Sequence, residues 1–136
     1  SVVGAALGRQ SSRAVAYVGD LTFVHDANGL VIGPDEPRPD LTIVVANDDG
    51  GAIFSTLEQG GTAYAGSFER VFGTPHGVSV RALCEATQTS YERVDDATEL
   101  RAALAADVQG IRVLEVEVDR RARRALHDHL LALAAE

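Results

Sequence analysis

Gly19-Asp20 and Asn47-Asp48-Asp49-Gly50-Gly51 are two places in the chain where carboxylates sit beside glycines directly after apolar runs. Carboxylate and amide oxygens, joined by backbone carbonyls, are the hard ligands that a magnesium ion takes while leaving positions for phosphate oxygens. The glycines at 19, 50 and 51 let the backbone approach a ligand closely. Helix N-termini beginning near Thr22 and Ala52 would aim N–H groups and positive dipole ends at a diphosphate held there. The chemistry these residues could do is therefore to bind a magnesium diphosphate. The same residue types after strands are also ordinary turn and helix-cap chemistry, so the residues alone leave both readings open.

Other reactive side chains point to less. A single Cys84 allows no internal disulfide, and in a helix-like stretch it reads as a small buried hydrophobe. His76 is the histidine to test for chemistry, with a structural role as the plainer reading. His25 and Asp26 sit beside the first acidic motif on a helix and suit an interface. His127 and His129 are two apart on a helix and face different ways, which makes them poor joint ligands. Arg120, Arg121, Arg123 and Arg124 form the one basic cluster and read as a solvated or interdomain helix face rather than a phosphate cradle. A formal charge of -8 argues against nucleic acid as a partner.

What must position the acidic motifs is an α/β fold. The 136 residues, 46% hydrophobic and 24% charged, suit one domain, read over residues 1–136. Ala14 to Val18 and Leu41 to Ala46 read as buried parallel strands, the first ending at Gly19-Asp20 and the second at Asn47-Asp48. Between them the spacing of Phe23, Ala27, Leu30 and Val31 predicts a helix over Thr22 to Ile32, stopped by Gly33-Pro34. Gly60 to Gly77 reads as a long loop with one helical turn, of a length that tends to carry function. Val78 to Thr87 is expected to be a helix and Tyr91 to Val94 a short strand. Asp96 and Glu99 form a capping box for a helix over Ala97 to Ala106. Val113 to Val118 is a last strand, after which Asp119 caps a final helix carrying Leu126, Leu130, Leu131 and Leu133. Sequential parallel strands then give a three-layer α/β/α sandwich, with both acidic motifs on the edge where such sheets bind ligands. No apolar run is long enough for a membrane span and no signal peptide is visible, so a cytoplasmic location is expected.

At the acidic motifs the chain resembles a known family. Gly19-Asp20, the 25 residues from Thr22 to Ala46, and then Asn47-Asp48-Asp49-Gly50 are similar to the thiamine-diphosphate fingerprint, which opens with Gly-Asp-Gly and closes on Asn-Asn with a glycine soon after. The flanking text narrows it. Gly19-Asp20-Leu21-Thr22-Phe23-Val24-His25-Asp26-Ala27-Asn28-Gly29-Leu30, Asp49-Gly50-Gly51-Ala52-Ile53-Phe54-Ser55 and Phe68-Glu69-Arg70-Val71-Phe72-Gly73-Thr74-Pro75-His76 look like the menaquinone-pathway synthases of the MenD family. In that family a leucine at the third motif position is usual, so Leu21 is no departure, whereas Asp48 replaces the usual Asn.

The resemblance implies a magnesium ion held by Asp20, Asp48 and the carbonyl of Gly50, with Asn47 as the alternative side-chain ligand. Gly19, Asp20, Leu21, Thr22, Asn47, Asp48, Gly50, Gly51, Ala52, Ile53 and Phe54 would contact thiamine diphosphate, Ile53 and Phe54 lining the space beside its thiazolium. Plain core packing is the competing role for those two. The segment from Phe68 to His76 would help close the site. The resemblance further implies that 2-oxoglutarate is decarboxylated and its succinyl unit added to isochorismate, the cofactor carrying the organic chemistry. It implies no catalytic side chain here, because the activating glutamate lies in an N-terminal domain, usually of a neighbouring subunit. The chain is accordingly expected to be an incomplete C-terminal domain, inactive alone. It would lack the N-terminal and central domains of a homodimer or homotetramer, and its exposed surfaces favour self-association. Competing readings are an acetolactate-synthase-like carboligase and a non-catalytic phosphate-binding module; a receiver-type phosphoacceptor at Asp20 would need a lysine, and the chain has none.

Overall fold

Leu41–Asn47 carries apolar side chains towards both faces of a strand, the pattern of a strand covered on two sides, and it lies inside the sheet rather than at its edge. The computed structural model describes residues 2–134. In chain order the elements are α1 (Val2–Gly8), β1 (Ala14–Gly19), α2 (Asp20–His25), β2 (Leu41–Asn47), α3 (Ala65–Phe68), α4 (Val80–Ala86), β3 (Ser90–Arg93), α5 (Ala97–Ala105), β4 (Ile111–Glu117) and α6 (Arg123–Ala134), with short 3-10 turns between several of them. Two compact units result. One comprises the residues up to Asn47 together with Ser79–Glu117, and the other comprises Asp48–Val78 together with the residues from Val118 onward.

The first unit holds the whole sheet, four parallel strands in the order β1-β2-β4-β3. Side-chain alternation sorts the core into two layers. Leu41, Ile43, Val45, Ile111 and Val113 pack with Phe23 of α2 and with Val80 and Cys84 of α4, while Val44 and Leu114 pack with Val94 and with Ala103 of α5. This is the α/β class expected, with helices on both sides of a parallel sheet. The strand order is not sequential as expected: β3 pairs outside β4, on the edge opposite β1.

Several helices differ from expectation for local reasons. The helix expected over Thr22 to Ile32 begins earlier, at Asp20, and ends at His25; Asp26 leaves helical geometry and a 3-10 turn runs over Ala27–Leu30. Asn28-Gly29 is a poor helix sequence, so the turn tightens there. Phe23 and Leu30 are buried, but Val31 is exposed. At α5 Asp96 caps as expected, accepting from Thr98 N and Glu99 N, whereas Glu99 reaches back to the N–H of Asp95 rather than to the cap itself. Asp119 does not cap α6: its carboxylate accepts from Arg121 N and shapes a turn, and the helix starts at Arg123.

The second unit is built from turns. Three 3-10 turns, at Ala52–Thr56, Glu58–Gly60 and Thr62–Tyr64, lead into α3 and then a π-helical turn over Glu69–Gly73. The single helical turn expected in the loop from Gly60 to Gly77 is thus a longer chain of turns. The helix N-terminus expected near Ala52 is a five-residue 3-10 turn, which offers a weaker dipole than an α-helix.

Candidate functional site

In the first unit the two acidic motifs leave neighbouring strands at the same level. The pairing of β1 with β2 sets Gly19 opposite Ala46, so Asp20 and Asn47 both come next at the carboxyl edge of the sheet. Asp20 is the first residue of α2 and only 3% exposed, and its Oδ1 accepts from Leu21 N at 2.8 Å. A carboxylate at a helix N-terminus is favoured by the dipole, which offsets part of the cost of burying its charge. A Cβ on Gly19 would meet nothing within 4 Å, so the space at this strand end is open.

Asn47 is held by a residue outside the acidic motifs, one that reasoning from sequence alone misses. Its Nδ2 donates to Glu115 Oε1 at 2.6 Å, and Glu115, 6% exposed on β4, also accepts from the Tyr91 hydroxyl. Burial first, and then the Glu115 carboxylate, push the Tyr91 hydroxyl up to about 12. Because a carboxylate only accepts, the nitrogen of Asn47 must face Glu115, which fixes which way the carboxamide is turned. A signal does exist: Glu115 interrupts the otherwise apolar run Val113-Leu114-Glu115-Val116. Cys84 is fully buried, and its thiol is pushed up to about 11 by burial and then by Glu115 and Glu85, so it stays protonated and inert as expected.

The second unit holds Asp48 and the rest of its motif. Asp48 Oδ2 lies 3.3 Å from Arg123 Nη1. Asp49 adopts the left-handed region at φ 55, and its Oδ1 accepts from His76 N and Gly77 N at 3.1 and 2.8 Å. Of the three acidic-motif carboxylates, Asp49 is thus the one that ties the far end of the loop back to the turn. His76 Nδ1 accepts from Val78 N at 2.9 Å and lies 3.6 Å from Asp49 Oδ1. Gly50 sits at φ 129, and a Cβ there would stand 2.2 Å from the Gly73 carbonyl oxygen, so only glycine fits. Gly51 N donates to that same carbonyl at 2.7 Å.

The arginine cluster is more than the solvated or interdomain face expected. Arg120 donates to the Asp49 carbonyl and to Glu69, each at 2.7 Å, Arg123 pairs with Asp48, and Arg124 donates to the Ser55 carbonyl at 2.9 Å. These guanidiniums fasten the turns of the second unit to one another. Ile53 and Phe54 are 56% and 39% exposed, so plain core packing does not account for them. Ile53 borders a groove of about 580 Å³ shared with Val118, Ala122, Leu126 and Leu130. Among the described residues no three His, Cys, Asp or Glu side chains gather as a metal site. A set of two carboxylates and one backbone carbonyl would not form such a group.

A parallel α/β sheet with carboxylates and glycines directly after its strands belongs to the class that binds ligands at the carboxyl ends of strands. Comparison with known proteins narrows this. The chain is 55% identical over 134 residues to a 2-succinyl-5-enolpyruvyl-6-hydroxy-3-cyclohexene-1-carboxylate synthase of Nocardioides sp., covering 98% of the chain and 25% of the synthase. It is 60% identical to the synthases of the same name from Nocardia farcinica and Rhodococcus erythropolis, over 93% of the chain and 23% and 24% of those proteins. No family model matches. Over the segment it spans, the chain is a homologue of this synthase family, the one its motifs resemble. It spans about a quarter of the length of the curated relatives it matches.

Proposed function

We propose that the chain is the C-terminal, diphosphate-binding segment of a synthase that decarboxylates 2-oxoglutarate and adds the succinyl unit to isochorismate with thiamine diphosphate and magnesium. The observation that carries this reading is identity of 55–60% to synthases of one name across nearly all of the chain, both acidic motifs included. The adjacency of Gly19 and Ala46 at one sheet edge supports it.

The donor set fits the metal: the carboxylates of Asp20 and Asp48 and the carbonyl of Gly50 are hard oxygens, and open space at Gly19 admits a ligand. When bound, thiamine diphosphate supplies the carbon nucleophile at which a 2-oxoacid loses carbon dioxide. The residues of this chain bind and orient. By the resemblance, Gly19, Leu21, Thr22 and Asn47 of the first unit and Gly51 and Ala52 of the second would hold the diphosphate, and the exposed apolar side chains of Ile53 and Phe54 would line the space beside the thiazolium. The activating glutamate belongs to a domain outside the chain, in a cytoplasmic homodimer or homotetramer. Among the described residues no helix is long and apolar enough to cross a membrane.

Two observations test the reading. If the chain is the C-terminal segment of such a synthase, the reading frame upstream of Ser1 should encode roughly three times more chain, the remainder of a relative of which it matches 25%. Calorimetric titration of thiamine diphosphate into the full-length protein should give heat that needs magnesium and that Asp20→Ala abolishes. Silence from the full-length protein sinks the cofactor assignment, and heat unaffected by Asp20→Ala moves the metal elsewhere.

A further inference from the structure

Asp48 brings a full negative charge to the proposed metal site, and the second unit sets a cation against it. Arg123 Nη1 lies 3.3 Å from Asp48 Oδ2; the Asp48 side chain is 14% exposed and that of Arg123 37%. Arg123 is also the first residue of α6, where a cation faces the positive end of the helix dipole. Nothing in α6 itself favours an arginine there; its partner Asp48 does.

Resting on the proposed magnesium-diphosphate site, we infer that Arg123 is a charge-compensating positioning residue. It lets Asp48 offer a carboxylate oxygen to the metal while the Asp48–Arg123 pair as a whole carries no net charge, as an asparagine would. The role has a signature that packing alone cannot mimic. Removing Arg123 makes the site one unit more negative, which attracts a bare divalent cation and repels the diphosphate of the cofactor. The two affinities should therefore move in opposite directions.

The test is calorimetry on the full-length protein with two probes, magnesium alone and thiamine diphosphate at saturating magnesium. In Arg123→Ala magnesium should bind tighter and thiamine diphosphate weaker, each by roughly three- to tenfold for a partly solvated charge. Arg123→Lys should keep both affinities close to the parent. The double variant Asp48→Asn with Arg123→Ala restores the original net charge and should return both affinities towards the parent values, which it could not do if Arg123 merely anchored α6. If Arg123→Ala tightens both ligands, Arg123 competes with the metal and the inference is overturned. If it changes neither, or if the double variant fails to recover, the inference is likewise overturned. Failure of the underlying reading looks different, because then the parent protein itself gives no magnesium-dependent heat with thiamine diphosphate.

Discussion

The two units support their share of the acidic residues by different physics. In the first, Asp20 and Asn47 leave strands whose neighbours Leu41, Val45, Val113 and Leu114 show no exposed surface at all, so the support is apolar burial. In the second, the large apolar side chains Ile53, Leu57, Val71, Leu126 and Leu130 are at least half exposed, and the turns are joined by arginines reaching backbone carbonyls and carboxylates. A unit with few buried apolar contacts and many exposed polar ones opens at lower free energy than one built on a core. The first unit therefore fixes its donors as part of global folding. The second can lose the order of its turns while the sheet stays intact.

The comparison is broken most forcefully from the sheet side. Leu114 lies fully buried against Val44, Val94 and Ala103, and Leu114→Ala should cost about 2–5 kcal/mol of global stability, read as a lower urea midpoint with an unchanged slope. A loss confined to a few tenths of a kcal/mol would mean that the sheet is not the stabilising unit. From the other side, Gly50→Ala places a Cβ 2.2 Å from the Gly73 oxygen at a φ of 129, so the turn must move. The expected cost is about 1–3 kcal/mol, confined to the turn. Hydrogen exchange should show faster amides over residues 48–77 with β2 and β4 protected as before. Equal loss of protection in both places would merge the two units into one cooperative body.

How much of this was legible in the sequence divides the same way. The strands were readable because apolar runs such as Leu41 to Ala46 have no other good use than two-sided burial. The cap at Asp96 was readable because its partners are two and three residues away. The edge position of β3 was not, since four residues with mixed exposure carry no pairing information. In the site, the motif residues were legible through resemblance. Their supports were not: Glu115 meets Asn47 across 68 residues, and Arg123 meets Asp48 across 75. Contacts of that span leave no periodicity. Only the oddity of a glutamate inside an apolar strand, or of arginines opening a helix, hints at them.

The smallest effect separates the units by pH. Cys84 and Tyr91 both belong to the sheet unit, and burial raises both, from 9.0 to about 11 and from 10.0 to about 12. A group whose folded value lies above its unfolded one favours the fold while protonated. The Cys84 contribution is therefore complete below pH 9 and is lost as pH rises towards 11, and that of Tyr91 is complete below pH 10 and is lost towards 12. At pH 7 neither costs anything. By pH 11 the thiol alone should remove on the order of 2 kcal/mol. Urea midpoints of the parent should thus fall steeply above pH 9. Cys84→Ala should flatten the first part of that fall, and Tyr91→Phe the later and weaker part, since Tyr91 is only partly buried. The turns of the second unit contribute neither group, so their hydrogen exchange, corrected for the intrinsic rise with pH, should show no added loss between pH 9 and 10. A matching loss there would mean that unfolding of the sheet takes the turns with it, and that their polar ties carry no independent stability.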